Sequence, residues 1–574
     1  MHKAKAVTSR LEQSAGVAAT RATPKTFQFV DANPTTDAER SQNKILVRSN
    51  ASNFHWRRVK KSSNGSTSRS STRKRTPNHE PKKPLGRAIA PISQTNDDIS
   101  SSTESDQSPP KNEEDRVSQE DTESPIESDV PAETTRDLLS LIVSGHYDPF
   151  EMYPSDLPKE FISPILYQIN GFLASVFPPE RGKPISALSE RWLNTTFSDR
   201  ALFHASIFCQ LTRNSAFISA RSESREHVQC YTETIRGVHQ KFLDNNTSCT
   251  DENILSVYAL AYHGATRPQT STEVPNQGPL KTLQLLHVYG GRLETVDVHL
   301  RGLAKMLTLR GGVRKIGLPG LAQAISCGDI ILATQRLEKP LLPFVAMHDD
   351  VIGRLTAASR QDHPLVGLGR GFRVLPEMLG RAEVSKLLIV LRWIIQYTFA
   401  IDDYEQKRPE AQATLRLGDE RNFVQHSLML LSPTILEMEE EHPMHRLCRL
   451  GTLIYSVLVV FPIPSEAAPF HRLAKEVQAQ LSQASVQSRW IEAPELILWV
   501  TVLGAIASTG SQYREWYLTT LDRLTKRLNL VTWSAMKERL GMFLWFESTN
   551  DEDGFKLWKE MEDSSPFRLP NSAH

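Results

Sequence analysis

The residues whose types and spacing most plainly suggest a task are basic ones near the start of the chain. Arg57, Arg58, Lys60 and Lys61 form one cluster, and Arg73, Lys74 and Arg75 form a second. The eleven residues between them, 62–72, are Ser, Thr, Asn and Gly with a single Arg. Two Lys/Arg clusters about ten to twelve polar residues apart fit the extended groove of an importin, which makes these seven residues a candidate nuclear import signal. The same side chains would attract nucleic-acid phosphates through counterion release, which does not read sequence. Base readout needs a framework that holds side chains in a groove, and the surrounding arm offers none.

Other constellations with chemical potential are incomplete. The five cysteines, Cys209, Cys230, Cys249, Cys327 and Cys448, form no Cys-x-x-Cys pair, and none lies in residues 1–208. Scattered, odd-numbered thiols suit a reducing cytosolic or nuclear compartment. A zinc site would need ligands at short local spacing, because chelation by neighbours offsets the entropy of ordering a small loop. His442-Pro-Met-His445 follows Glu441 but is not His-Glu-x-x-His. Pro443 also disfavours the i, i+4 display of a zinc helix, so this cluster reads as surface polar residues. Gly367-Leu-Gly-Arg-Gly371 has no βαβ unit around it to make a dinucleotide loop. Neither a phosphate-binding Gly-x-x-x-x-Gly-Lys-Ser/Thr nor a Gly-x-Ser-x-Gly elbow occurs. The expectation is no enzyme, no cofactor and no resident metal.

The charge distribution divides the chain. Net charge is +1 over 574 residues, yet residues 1–90 hold 19 Lys or Arg against 5 Asp or Glu, and residues 91–136 hold 3 against 13. Residues 1–133 are rich in Ser, Thr, Pro and charge, with too few aliphatic groups to bury a core, and read as a disordered arm. Their acidic part is open to two readings, an activation segment or a solvated linker, and its lack of any aromatic residue favours the linker. The first residues lead into no apolar signal region. The longest apolar runs, 450–461, 387–401 and 496–507, fall short of the roughly 20 residues that span a bilayer and read as buried helices.

Residues 134–574 read as one all-α, multi-helix body. Apolar residues recur at helical spacing over 135–143, 160–177, 199–218, 225–243 and 251–263. In 225–243 the predicted core face is Val228, Tyr231, Ile235, Val238 and Phe242. Residues 264–279 read as a loop, 319–333 as a helix with Pro319 near its start, and 335–381 as irregular. Helices are predicted again over 384–400, 494–507, 513–528 and 533–546. Six of the nine tryptophans fall in this last third.

The most distinctive block of the body is His299-Leu-Arg-Gly-Leu-Ala-Lys-Met-Leu-Thr-Leu-Arg-Gly-Gly312, continuing to Gly317. Leu300, Leu303, Met306 and Leu307 make one helical face, and Gly311-Gly312 follows where a left-handed cap is wanted. Arg301, Lys305, Arg310, Arg314 and Lys315 read as the solvated side. The block resembles the H-L-R-G-L-x-x-M-x-x-L-R-G-G motif of the fungal-specific transcription factor domain. Asp148-Pro-Phe-Glu-Met-Tyr-Pro154, Leu321/Ile325/Asp329 and the tryptophan-rich closing segment resemble weaker marks of the same family. The chain departs from the better-known members in lacking the six-cysteine zinc cluster, which puts autonomous sequence-specific DNA binding in doubt. The resemblance implies a nuclear regulator of transcription, acting through protein partners and often controlling metabolic or secondary-metabolite genes. The alternative is a helical scaffold, without DNA contact, that modulates a partner regulator.

Overall fold

The computed structural model describes residues 153–564, apart from 180–182, 184, 218–223, 245, 267–274, 279, 281–290, 357–359, 434–440 and 465–466. The basic clusters, the acidic strip and the helical pattern at 135–143 lie outside the described residues, as does 148–152 of the segment that follows. The described chain is all-α, with eighteen α-helices. Its one strand pairing joins Ala265–Thr266 (β1) to Leu293–Glu294 (β2), antiparallel, with Ala265 opposite Glu294.

Seven helices build a first core: α1 Lys159–Val176, α2 Ala187–Ser198, α3 Arg200–Phe217, α4 Arg225–Phe242, α5 Asp251–His263, α6 Asp297–Arg310 and α7 Leu321–Arg336. Ser186, Ser224 and Thr250 start α2, α4 and α5, each accepting a hydrogen bond from the backbone N–H three residues on. Ile162, Leu166, Phe203, Ile207, Ile254, Leu303 and Leu321 pack together at the centre.

α4 corrects the predicted core face. The structure buries Cys230, Thr234 and Val238, whereas Val228, Ile235 and Phe242 remain exposed. The cause is Gly237, where a Cβ would sit 2.5 Å from the Cβ of Ala201 in α3. Close approach at that glycine sets the rotation of α4, which keeps Tyr231 and Val238 on the core and turns Val228, Ile235 and Phe242 outward.

The predicted block 299–317 forms α6 and its cap. Leu303, Met306 and Leu307 are buried, and Gly311 adopts φ +88°. The N–H of Gly312 reaches back to the carbonyl of Leu307 at 2.8 Å, closing the helix end. Two of the basic residues are not simply solvated. Arg310 donates to Asp251 Oδ1 at 3.0 Å, and Arg314 donates to the Phe344 carbonyl at 2.9 Å. Asp251, in the first turn of α5, also accepts the backbone N–H groups of Gly317 and Leu318 at 2.8 and 2.7 Å. One carboxylate thus fixes the connection that launches α7. That helix begins at Leu321, after Gly320 at φ +87°, two residues later than Pro319 suggested.

The second core is built from α8 Val351–Thr356, α9 Leu375–Leu379, α10 Arg381–Glu405, α11 Thr414–Leu430, α12 Pro443–Tyr455, α13 Phe470–Leu481, α14 Ala484–Gln487, α15 Pro494–Ala507, α16 Arg514–Arg527, α17 Trp533–Leu540 and α18 Glu547–Ser564. α12 runs on into a π-helical turn, Ser456–Val460. Every residue of 496–507 in α15 is buried, so this helix is apolar all round and surrounded by others. Trp499 stacks on Phe543 with ring centroids 5.6 Å apart and donates its indole N–H to the Leu544 carbonyl at 2.8 Å. The segment Val384–Glu405 of α10 is long and apolar enough, by length and composition, to cross a bilayer, although the run 387–401 alone fell short. In the fold its Leu387, Leu391, Ile394 and Tyr397 are core residues.

Two further differences have local causes. The helix predicted over 533–546 stops at Leu540, because the carbonyls of Met542 and Phe543 turn away to accept the N–H groups of Gly371 and Gly369. A Cβ on Gly371 would lie 2.5 Å from the Phe543 ring, so Gly367-Leu-Gly-Arg-Gly371 is a packing loop. The stretch 335–381 is irregular only in part, since it contains α8, a 3₁₀ turn at Arg370–Val374 and α9. Its section 341–348 is held by side chains. Asp329 accepts the Leu342 N–H at 2.8 Å, Ser326 the Val345 N–H at 3.2 Å, and Asp419 the Met347 and His348 N–H groups. Backbone groups that cannot stay bare inside a protein are here satisfied by α7 and α11.

Replacing Asp251 by Ala is expected to lower stability by about 2–4 kcal/mol, since two backbone donors and Arg310 lose their acceptor together. Urea unfolding of the variant beside the native chain measures this. A change below about 0.5 kcal/mol would contradict the anchoring role.

Candidate functional site

Where α1, α2, α3, α5 and α7 meet, the first core leaves a cavity of about 190 Å³. α5 supplies Tyr258 and Tyr262, one turn apart, with ring centroids 4.6 Å from each other. α3 supplies Cys209 and Gln210, and α2 supplies Trp192 and Thr196. α7 closes the far side with Ala324, Cys327 and Gly328.

Each wall is positioned by a specific contact. Gly328 faces Tyr262 so closely that a Cβ would lie 2.8 Å from the phenol oxygen. Tyr258 donates to the Ala324 carbonyl at 3.3 Å, fastening α5 to α7. Trp192 donates its indole N–H to the Pro319 carbonyl at 2.7 Å, which ties α2 to the connection held by Asp251. Gln210 donates to Gln168 and Asn214. The hydroxyl of Ser206 is used by the Leu202 carbonyl. Those of Tyr262 and Thr196 make no hydrogen bond to another described residue.

The electrostatics are those of a neutral site. Among the described residues no Asp, Glu, Lys or Arg lines the cavity. Burial pushes the His263 imidazole down to about 4, against the opposing bond of Nδ1 to the Ala259 carbonyl, so the ring is uncharged near neutral pH. Burial raises the Cys209 and Cys327 thiols, the opposite of what a nucleophilic cysteine needs. The walls suit binding of an uncharged apolar molecule and supply neither an activated nucleophile nor an acid–base pair.

Ionisable clusters elsewhere are paired internally. His363 lies against Asp403 and Asp402, which also receive Arg360 and Arg408. His442 caps α12 by accepting the Met444 N–H, with Pro443 in the first turn, where it is tolerated. Glu441 bonds His445 at 2.8 Å and takes both Arg449 bonds at 2.9 Å. Burial would raise the Glu441 carboxyl, yet Arg449 and His445 outweigh it and hold the group down at about 2. The 442–445 region is therefore a largely buried cap and ion pair, not the surface cluster the sequence suggested. Its acid and Arg449 are each only 7% exposed.

Among the described residues no group of three or more His, Cys, Asp or Glu is placed to hold a metal ion. The import residues Arg57, Arg58, Lys60, Lys61, Arg73, Lys74 and Arg75 lie outside the described residues. The cavity residues were not singled out from the sequence. Tyr258 and Tyr262 at i, i+4 beside Cys209 look like ordinary core, and the only hint is Gly328 inside a helical pattern. Comparison with protein-family models, with curated proteins and with solved structures returns no match.

His263 gives the cavity region a pH signature. Its folded-state pKa is depressed, so the unfolded chain binds the extra proton between about pH 6.5 and about 4. Its contribution to stability is therefore complete above about pH 6.5 and declines as pH falls toward 4. Urea midpoints over that range should fall less steeply for His263→Gln than for the native chain. Identical slopes would contradict the burial of a neutral imidazole.

Proposed function

We propose that this chain is a nuclear regulator of transcription whose helical body receives partners and whose basic arm provides import. The observation that carries the reading is the bipartite spacing of Arg57, Arg58, Lys60 and Lys61 with Arg73, Lys74 and Arg75, ahead of a large all-α body. The resemblance of residues 299–312 to the fungal-specific transcription factor motif supports the same reading and suggests control of metabolic or secondary-metabolite genes. In this reading the chain is not an enzyme and needs no cofactor. Its partners are importin and proteins of the transcription apparatus.

A second reading is favoured by the absence of cysteine from residues 1–208. The chain would then be a helical co-regulator that modulates a DNA-bound partner and touches DNA only through phosphate attraction to its arm.

Changing the seven import residues to Ala in a fluorescently tagged chain should abolish its nuclear enrichment. An unchanged distribution would overturn the import assignment. For DNA, sequence-blind binding that weakens steeply with salt and disappears on removing residues 1–90 is expected of the co-regulator. Retention of a sequence preference by the remaining chain would reject that reading in favour of a direct DNA-reading regulator.

A further inference from the structure

We propose that the cavity between α3, α5 and α7 is a binding site for a neutral, largely apolar small molecule of one or two fused rings, held by a hydrogen bond to Tyr262. The assignment stands independently of the nuclear reading, because it rests on the walls of the body alone.

Size is the first argument. Well-packed cores hold few voids larger than a water molecule. At about 190 Å³ this cavity exceeds the roughly 150 Å³ of an engineered apolar cavity that stays dry and takes up benzene. Ordered water is a poor filling, since each buried water needs about two to four polar partners. The lining offers only two hydroxyls, Tyr262 and Thr196, without a hydrogen bond to another described residue.

Charge is the second argument. A carboxylate or phosphate entering here would lose its hydration and meet, among the described residues, no Lys, Arg or charged imidazole in exchange. This excludes nucleotides, amino acids and organic acids as ligands of this site. Aromatic walls at Trp192, Tyr258 and Tyr262 instead favour a flat, uncharged ring system. One donor or acceptor on that ring would meet the Tyr262 hydroxyl.

Gly328 brings α7 against Tyr262 with no side chain of its own, and the same helix continues into the second core. A ring filling the cavity therefore presses on the helix that both cores share. Occupancy would be felt beyond the first core without any ligand contact there.

The test titrates the purified full chain with 2-naphthol and with 2-naphthoate, its carboxylate counterpart, by calorimetry at pH 7.5. The expected result is saturable binding of 2-naphthol, with 2-naphthoate at least about tenfold weaker. Tyr262→Phe should weaken 2-naphthol about fivefold and leave naphthalene unchanged, because it removes one hydroxyl and keeps the ring. Ala324→Phe should abolish binding of both neutral probes by filling the space. Should that variant not fold, Tyr262→Phe decides alone. The proposal is overturned by no binding of 2-naphthol up to about 1 mM, by equal affinity for naphthol and naphthoate, or by a Tyr262→Phe chain that binds 2-naphthol as the native one does.

Discussion

One helix of sixteen residues has to serve two cores, and the rest of the described body is arranged around that constraint. The first turns of α7 put Leu321, Ala322 and Ile325 into the first core, whereas Ile330 belongs to the second. Its polar residues are used with equal economy. Asp329 and Ser326 hold the segment 341–348, and Thr334 accepts a hydrogen bond from Gln425 of α11 at 2.9 Å. Gln425 in turn accepts from Ser456 in the π-helical turn after α12. A buried polar chain with each bond made confers register without leaving an unpaired group. The helix can take this place only because Asp251 fixes the loop before it and Gly328 gives way to Tyr262.

The cavity follows from the same arrangement. α1, α2, α3 and α5 meet α7 around it, and two of its aromatic side chains are fixed in the wall by polar bonds. Trp192 is drawn to Pro319 and Tyr258 to Ala324. Their rings become walls instead of filling. The same contacts that fasten α2 and α5 to the start of α7 therefore shape the apolar wall of the cavity.

Much of the fold was legible in the sequence, and the failures share a cause. The helices predicted over 251–263 and 494–507 match the observed bounds to the residue, and Pro494 lies in the first turn of the second. The block at 299–312 carries in its sequence both the helix and the Gly311 cap that the structure shows. What local pattern does not carry is contact between distant segments. Val228, Ile235 and Phe242 have the spacing of a core face, yet Gly237 turns them to solvent because Ala201 lies opposite. Residues 541–546 look helical until Gly369 and Gly371 claim their carbonyls. α2 has only Leu188, Trp192, Leu193 and Phe197 as large apolar residues and was not singled out. The cavity was hidden for the same reason: Tyr262, Cys209 and Gly328 acquire meaning only when α3, α5 and α7 are brought together. Glu441 and His445 looked like surface charge because the partner that draws them inward, Arg449, sits a helical turn beyond.

α7 couples the two cores through its contact with Tyr262. Hydrogen–deuterium exchange of the Gly328→Ala chain beside the native one tests it most directly. A Cβ at that position must displace Tyr262. Faster exchange is expected in α5 and α7 and, beyond them, in segment 341–348 and α11, which touch α7 but do not line the cavity. Faster exchange confined to α5, with α11 and 341–348 as protected as in the native chain, would contradict it.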